Sequence, residues 1–89
     1  MPVTRGRGFA YSVSKLGVLH LVAMAADEVR GTQITVNCVV PSIIDTPANR
    51  SAMPGADHAS WPKIPDIAQA YLFLAAPDAH LVSGAAIPV

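Results

Sequence analysis

Charged side chains are scarce in this sequence. Aspartate, glutamate, lysine and arginine make up 13% of its 89 residues, against roughly 25% in an ordinary soluble domain. The six basic residues balance the six acidic ones, and they are scattered along the chain apart from Arg5 and Arg7. Because a phosphate backbone is bound through clustered lysine and arginine side chains, we expect no nucleic-acid partner.

A second cysteine and a long uncharged apolar run are also lacking, and we expect no secretory leader. Cys38 is the only cysteine; it excludes an internal disulfide and cannot by itself make a zinc site, so no metal centre is predicted. The first ten residues carry Arg and Gly where a secretory signal would be apolar. The longest uncharged apolar run, residues 16–26, is shorter than the roughly 18 residues that span a membrane. We therefore expect a cytoplasmic protein without a membrane partner.

Hydrophobic residues, in contrast, are abundant, at 52% of the chain. A folded chain this short buries only about two-thirds of the surface that it exposes when unfolded. Its apolar faces therefore need a further cover, either a second copy of the chain or the rest of a larger domain. We predict one partial domain spanning residues 1–89.

Tyr11 and Lys15 are the strongest candidates for chemistry. They open an apolar segment with helical spacing, residues 11–29, and on a helix residues four apart lie on one face. A phenol, with a reference pKa of about 10, is a poor proton donor at neutral pH, and an ammonium group held beside it favours the phenolate. Such a pair suits acid or base chemistry on an alcohol or carbonyl. By itself it fits equally a half-exposed tyrosine and lysine on a surface helix.

The next part of the chain carries a strand signal. Residues 34–40 are rich in β-branched side chains and almost continuously apolar, which is typical of a buried strand in a parallel sheet. Pro41 ends that strand. Residues 42–46 are then expected to form a loop at its carboxyl end, where open α/β sheets bind ligands.

The second half begins with a proline-rich stretch, residues 47–65, which we predict to be an irregular binding loop or lid. Asp66 is expected to cap a second helix over residues 67–75. Residues 81–89 are expected to form a turn and a last short strand. The order helix, strand, loop, helix, strand predicts an α/β fold with a parallel sheet.

Four features in this order resemble the C-terminal part of the short-chain dehydrogenase/reductase family. Residues 11–15 match its Tyr-x-x-Ser-Lys active-site motif. Residues 36–41 are similar to the family's strand that ends in Pro-Gly, Thr46 to the threonine after it, and residues 83–89 to its closing Thr/Ser-Gly strand. The resemblance implies the C-terminal part of a Rossmann-type, doubly wound parallel sheet, without the N-terminal βαβ units.

The resemblance also implies an NAD(P)-dependent oxidoreductase, with NAD or NADP as cofactor and a small carbonyl, alcohol or pterin-like compound as substrate. Tyr11 would transfer a proton to or from the substrate oxygen while hydride moves between the substrate and nicotinamide. Lys15 would favour the phenolate and hydrogen-bond the nicotinamide ribose. The residues implied in cofactor binding are Tyr11, Lys15, Pro41, Ser42, Ile43 and Thr46.

The 47–65 stretch would carry the substrate side of the site. Within the family, residues 45–57 together with Trp61 are most similar to dihydropteridine reductase and its bacterial relatives. Asp57, His58 and Trp61 could line a substrate pocket, since an indole offers a flat face to a ring, or could belong to a solvated loop.

Two departures from the family pattern bear on what the chain can do alone. Most members carry glycine at the position of Ser42, whose β-carbon restricts the turn. The family's Gly-rich phosphate loop and its active-site Ser and Asn lie upstream of the matching part, so the chain is expected to be inactive by itself. When full length, it is expected to form a homodimer or homotetramer through the Tyr-bearing helix. The alternatives are a catalytically dead homologue kept as a dimerisation module and a truncated product without function.

Overall fold

The computed structural model of the protein describes residues 7–89, which form an α/β arrangement with a parallel pair of strands. The elements are α1 Arg7–Glu28, β1 Cys38–Val40, α2 Pro47–Ala52, α3 Ile64–Ala75 and β2 Ala86–Pro88. Single turns of 3₁₀ helix, His58–Ser60 and Pro77–Ala79, precede and follow α3. The predicted order of helices and strands is present, with α2 as an additional element.

Helix α1 begins at Arg7, earlier than residue 11, where the sequence pattern places its start. Gly8 does not stop it, because a glycine in a helix costs only about 1 kcal/mol relative to alanine. The helix ends at Glu28, and Gly31 in the following turn has a φ of +86°, the left-handed conformation that glycine adopts readily past a helix end. Tyr11 therefore lies inside a continuous helix and not at its first residue.

Strands β1 and β2 pair in parallel, with Cys38 opposite Ala86 and Val40 opposite Pro88. The ladder is shorter than the strand predicted over residues 34–40, so that prediction was wrong in length. A strand needs a hydrogen-bonded neighbour, and within the described residues β1 has one on a single side. Because parallel strands run in the same direction, the carboxyl ends of β1 and β2 lie at one edge of the sheet.

Side-chain hydrogen bonds, in addition to one backbone bond between Gly84 and Val36, join the residues ahead of this ladder. Asn37 Nδ2 donates to the Val82 carbonyl (2.9 Å), and Asn37 Oδ1 accepts from the Ala85 N–H (3.0 Å). The Val36 N–H likewise donates to the Ser83 hydroxyl (3.2 Å). These bonds hold the approach to β1 against the turn before β2, and they explain why regular pairing begins only at β1.

Gly84 brings the same turn against α1. Its φ of +79° lies in the region that disfavours a β-carbon, and its N–H donates to the Val36 carbonyl (2.8 Å). A β-carbon at Gly84 would lie 3.4 Å from the methyl group of Ala26, which is buried. The C-terminal end of α1 thus packs against the turn before β2.

Helix α2 interrupts the stretch predicted to be irregular, residues 47–65. The Thr46 hydroxyl caps the helix by accepting from the Asn49 N–H (3.1 Å). Pro47 occupies the first helical position, where a backbone N–H would have no partner inside the helix. The prediction of an irregular stretch was therefore wrong at its beginning, where Thr46-Pro47 is a helix start.

Helix α3 also begins earlier than predicted, at Ile64 and not at residue 67. Asp66 lies in its first turn, and its carboxylate accepts from the Lys63 N–H (3.1 Å). Pro65 fits this first turn because a backbone N–H there would have no partner inside the helix. Ile67 is the buried residue of the helix.

Much of the apolar surface lies uncovered in the described part of the chain. Tyr11, Leu16 and Leu21 on α1 are 65%, 68% and 66% exposed. The radius of gyration is 15.8 Å, whereas a compact domain of this length has one of about 12 Å. The buried hydrophobic residues are Ala26, Trp61, Ile67 and Ala79. The arrangement is one thin layer whose helices lack a second layer to pack against.

By length and composition alone, the α1 segment Gly8–Glu28 is long and apolar enough to cross a membrane. Apolar helices from the cores of soluble proteins meet the same criterion. The segment carries Lys15 and His20 near its middle, and such side chains are costly inside a bilayer.

Candidate active site

A cleft of about 580 Å³ opens between α1 and the carboxyl end of β1, and we call it the Tyr11 cleft. Small-molecule sites occupy about 300–1,000 Å³, so the cleft is large enough for a ligand. Helix α1 lines it with Tyr11 and Lys15, among other residues. The opposite wall comes from the chain that leaves β1 and from α2.

Tyr11 and Lys15 lie one helical turn apart on the face of α1 that lines the cleft. Lys15 Nζ is 5.4 Å from the centroid of the Tyr11 ring, within the roughly 6 Å at which an ammonium group is attracted by an aromatic face. Tyr11 is well exposed, so a ligand in the cleft can reach it. The two predicted catalytic residues therefore share one cleft.

Pro41, Ser42 and Ile43 line the same cleft from the end of β1. Both the backbone N–H and the hydroxyl of Ser42 donate to the Val89 carbonyl (3.0 and 3.2 Å), which fixes this turn against the end of β2. Among the described residues only glycines have a positive φ. The β-carbon of Ser42 is thus in an ordinary backbone conformation, and this turn does not require the glycine that most family members carry.

Thr46, the remaining residue implied in cofactor binding, is not part of the cleft lining. Its hydroxyl oxygen accepts from the Asn49 N–H as the cap of α2. The cap leaves the hydroxyl hydrogen available to donate, so contact with a ligand at the cleft edge remains a prediction.

The structure does not bring Asp57, His58 and Trp61 into the cleft. Trp61 is only 8% exposed, and its ring lies 4.7 Å from the His58 ring. His58 Nε2 is 2.7 Å from the Met53 carbonyl oxygen. The indole therefore packs inside its own loop and does not offer the open flat face that a stacked ring substrate would need.

Asn49 and Met53 line the cleft, although the sequence did not single them out. Asn49 Nδ2 donates to the Ile44 carbonyl (2.8 Å), which holds the amide next to the cleft wall. Interpreting Thr46-Pro47 as a helix start would have placed Asn49 in the first turn of α2. That signal was present but was overlooked in a proline-rich stretch.

Asp45 forms the densest charge cluster in the described part of the chain. Its Oδ1 and Oδ2 accept from Arg50 Nε and Nη2 (2.6 and 2.9 Å), and Oδ2 also accepts from Lys63 Nζ (2.6 Å). The bonds from Arg50 and Lys63 hold the pKa of the Asp45 carboxyl well below its ordinary value. The same pairing raises the pKa of Arg50. The Asp45 side chain, 9% exposed, thus bonds across a long loop.

The polar side chains that line the cleft are a phenol, an ammonium, a thiol, a hydroxyl and an amide, from Tyr11, Lys15, Cys38, Ser42 and Asn49. Across residues 7–89, no three His, Cys, Asp or Glu side chains come together as they would around a metal ion. A phenol beside a cation, facing a largely apolar wall, is suited to moving a proton to or from an oxygen of a bound molecule.

Comparison with known proteins gives a consistent result. A family profile described as enoyl-(acyl carrier protein) reductase matches residues 3–89. The 3-oxoacyl-(acyl-carrier-protein) reductase FabG of Thermotoga maritima is 32% identical over 87 residues, which cover 89% of this chain and 35% of that reductase. The chain thus spans about a third of the length of such curated relatives.

Solved structures share the fold as well. A short-chain type dehydrogenase/reductase from Mycobacterium ulcerans superposes with a TM-score of 0.79 at 30% identity, covering 90% of this chain and 33% of that one. A 4-hydroxyisoleucine dehydrogenase complexed with NADH and succinate gives a TM-score of 0.72 at 25% identity, covering 90% of this chain and 36% of that one. On the family match, these relatives and the shared fold, the chain belongs to the short-chain dehydrogenase/reductase family.

Proposed function

We propose that this chain is the proton-transferring, C-terminal part of an NAD(P)-dependent oxidoreductase. Its substrate is a small carbonyl or alcohol, or a pterin-like compound. The observation that carries the proposal is that Tyr11 and Lys15 from α1 and residues 41–43 from the end of β1 line one cleft. Proton transfer needs a donor within hydrogen-bond reach of the reacting oxygen, and the exposed Tyr11 hydroxyl can provide it.

The chain's own residues then have separate roles. In reduction, Tyr11 gives its hydroxyl proton to the substrate oxygen as the carbonyl double bond becomes a single bond; in oxidation, the phenolate takes that proton back. The Lys15 ammonium stabilises the phenolate that forms. When bound, the nicotinamide supplies the hydride to the substrate carbon or removes it from there.

The cleft residues fit a nicotinamide riboside. Val39, Pro41 and Ile43 offer an apolar wall to the ring, and the three N–H groups of Lys15 can donate to ribose hydroxyls. The dehydrogenase complexed with NADH shares this fold, which supports a nicotinamide cofactor here. The proposal includes either NAD or NADP.

The substrate side of the cleft is assigned to α2, through Asn49 and Met53. His58 and Trp61 then support this wall from behind, since their rings lie side by side and His58 Nε2 contacts the Met53 carbonyl oxygen. The closer likeness of this loop to dihydropteridine reductase stays a prediction. So does a cytoplasmic location.

A second candidate is a non-catalytic dimerisation module. The observation that favours it is the shallow groove on α1 lined by Val13, Leu16 and His20, which is apolar and uncovered in the described part of the chain. A two-fold contact would bury the same stripe on both copies. Only the first candidate requires turnover that depends on Tyr11.

The test is a fusion protein in which the N-terminal part of the Thermotoga maritima reductase, outside the region of similarity, precedes all 89 residues of this chain. We expect the folded fusion to oxidise NADPH or NADH when a small carbonyl compound is supplied. Absorbance at the nicotinamide band gives the rate. A folded fusion that self-associates but turns over no member of a carbonyl panel would support the dimerisation module instead.

A further inference from the structure

Asp45 joins three separate pieces of the chain. Asp45 lies in the loop between β1 and α2, Arg50 belongs to α2, and Lys63 precedes α3. The carboxylate bonds both of these cations at 2.6–2.9 Å, in an arrangement that we call the Asp45 ion cluster. Because ionised partners make the stronger class of hydrogen bond, with Arg binding a carboxylate in bidentate fashion, the cluster fixes direction as well as distance.

The cluster closes a loop. Asp45 and Lys63 are 18 residues apart, and beside their side-chain contact the Asp45 N–H donates to the Pro62 carbonyl (2.9 Å). The two ends of the 46–62 segment therefore meet at one point. Closing a long loop at its base removes much of the freedom of the chain between the ends.

The ring of Trp61 packs inside the 46–62 segment. Trp61 is buried and lies beside His58, and His58 Nε2 contacts the Met53 carbonyl oxygen. A loop that is packed in this way and has adjacent ends is a compact unit and not an open flap. The sequence-based expectation of a lid is therefore not supported by the packing.

The same segment forms a wall of the Tyr11 cleft through Asn49 and Met53. Helix α2, which carries Asn49 and Arg50, has only six residues, and a helix this short is not stable on its own in water. Its position must come from contacts outside the helix. The bidentate bond from Arg50 to Asp45 is one of those contacts, and the bond from Asn49 Nδ2 to the Ile44 carbonyl is another.

We propose that Asp45 is a positioning residue: through Arg50 and Lys63 it holds α2 so that Asn49 and Met53 form a preset substrate wall opposite Tyr11. This inference rests on the proposed function. Beyond that function, the 46–62 segment acts as a fixed wall, and substrate binding depends on the Asp45 carboxylate, which does not itself line the cleft.

The test uses the fusion protein and the substitution Asp45→Asn, which keeps the shape of the side chain and removes its charge. Asp27→Asn is the matched control, because Asp27 forms a 2.7 Å ion pair with Arg30 on the exposed surface of α1 and its following turn. A misplacement of about 1 Å in an active site can cost about 100-fold. We expect Asp45→Asn to lower kcat/KM for the carbonyl by about 10-fold or more, chiefly through KM, while KM for the nicotinamide cofactor changes much less.

Two further measurements separate positioning from general stability. Asp45→Glu keeps the charge and should recover part of the lost kcat/KM. Hydrogen exchange of the amides in the 46–62 segment should become faster in Asp45→Asn and stay unchanged in Asp27→Asn. The proposal is overturned if Asp45→Asn lowers the melting temperature and leaves both KM values unchanged, or if the cofactor KM rises as much as the substrate KM.

Failure of the proposed function is recognised separately, since an inactive but folded parent fusion contradicts the oxidoreductase assignment whatever Asp45 does. In that case hydrogen exchange alone decides the positioning role. Faster exchange confined to the 46–62 segment of Asp45→Asn supports the positioning role, and unchanged exchange contradicts it.

Discussion

The chemistry open to Tyr11 depends on the charge beside it and on how much water surrounds both. Lys15 Nζ lies 5.4 Å from the ring centroid, and both side chains are exposed. Two unit charges about 4 Å apart interact by about 1 kcal/mol in bulk water and by about 4 kcal/mol near a protein surface. A covering layer that excluded water from the cleft would therefore strengthen the effect of Lys15 on the phenol.

Replacing Tyr11 by phenylalanine isolates the proton-transfer role. Tyr11→Phe keeps the ring and removes the transferable proton, so in the fusion protein we expect kcat to fall by about 10²–10⁴-fold, with cofactor binding nearly intact. Tyr71→Phe is the matched control, because Tyr71 is also an exposed helical tyrosine but lies on α3, away from the cleft. Steady-state kinetics and a cofactor titration measure both effects. A near-normal kcat in Tyr11→Phe would contradict the role given to Tyr11.

Local sequence patterns could identify Tyr11 and Lys15, because a helix determines where residues four apart lie. Asn49 was within reach of the same reasoning through the cap at Thr46. The burial of Trp61 and the partners of Asp45 were not, since the contact from Asp45 to Lys63 spans 18 residues and depends on how the loop closes. Side-chain contacts of that kind are set by tertiary structure.

At the scale of secondary structure, Asn37 is the polar link between the approach to β1 and the turn before β2. Its side-chain amide donates to the Val82 carbonyl and accepts from the Ala85 N–H. These two hydrogen bonds link the segments where a regular ladder would use backbone groups. The sequence predicted a strand here because its apolar pattern is continuous. Which residues join the ladder depends on the partner chain segment, and the pattern does not contain that information.

Removing the Asn37 amide should destabilise the sheet. Asn37→Ala loses two hydrogen bonds and leaves a partly buried carbonyl and N–H without their partner, and we expect a loss of roughly 1–3 kcal/mol in the free energy of unfolding. Urea unfolding of the fusion protein measures it. Gln33→Ala, which removes an exposed amide just upstream, should change the stability by much less. Equal effects of the two substitutions would show that the Asn37 bridge contributes nothing.

The Asp45 ion cluster should make stability depend on pH in acid. Bonds from Arg50 and Lys63 lower the pKa of Asp45 from its ordinary value of 3.8, so the folded state binds its proton less readily than the unfolded state. The contribution is then fully present above about pH 4 and is lost as the pH falls through the lowered pKa. We expect the stability difference between the parent fusion and Asp45→Asn to be constant from pH 5 to pH 8 and to shrink below about pH 4, as urea unfolding at each pH can measure. A difference that grew on acidification would have the wrong sign.

At the scale of the whole molecule, the uncovered face of α1 needs a partner. Leu16, His20 and Ala23 follow one another at helical spacing, and Leu16 is 68% exposed. Ala26, three residues after Ala23, is buried beside Gly84. The stripe available for a second copy is therefore centred on the middle of the helix.

A charge on this stripe should weaken self-association. In a two-fold contact the substitution Ala23→Glu would place its carboxylate in the interface of both copies, so we expect the fusion protein to shift toward a smaller species in sedimentation or size-exclusion measurements. Ala59→Glu, at an exposed alanine in the 3₁₀ turn before α3, is the matched control and should leave the size unchanged. If Ala23→Glu also leaves the size of the fusion protein unchanged, α1 is not the interface.

The last prediction is that the 89-residue chain alone does not bind NADH or NADPH in the micromolar range. Two paired strands are too few for a stable sheet, and the Tyr11 cleft has one wall from α1 and one from the end of β1 and α2, with no covering layer in the described residues. Much of the binding energy that positions a nicotinamide ring comes from remote parts of the cofactor, and its phosphates are best held at the N-terminus of a helix after a glycine-rich turn. Among residues 7–89 no glycine-rich run precedes a helix. Titration of either cofactor into the purified chain, followed by nicotinamide fluorescence, should therefore give no saturation, whereas the same titration of the fusion protein should saturate. Saturable binding to the chain alone would show that the main cofactor contacts lie within these residues, and would contradict the prediction.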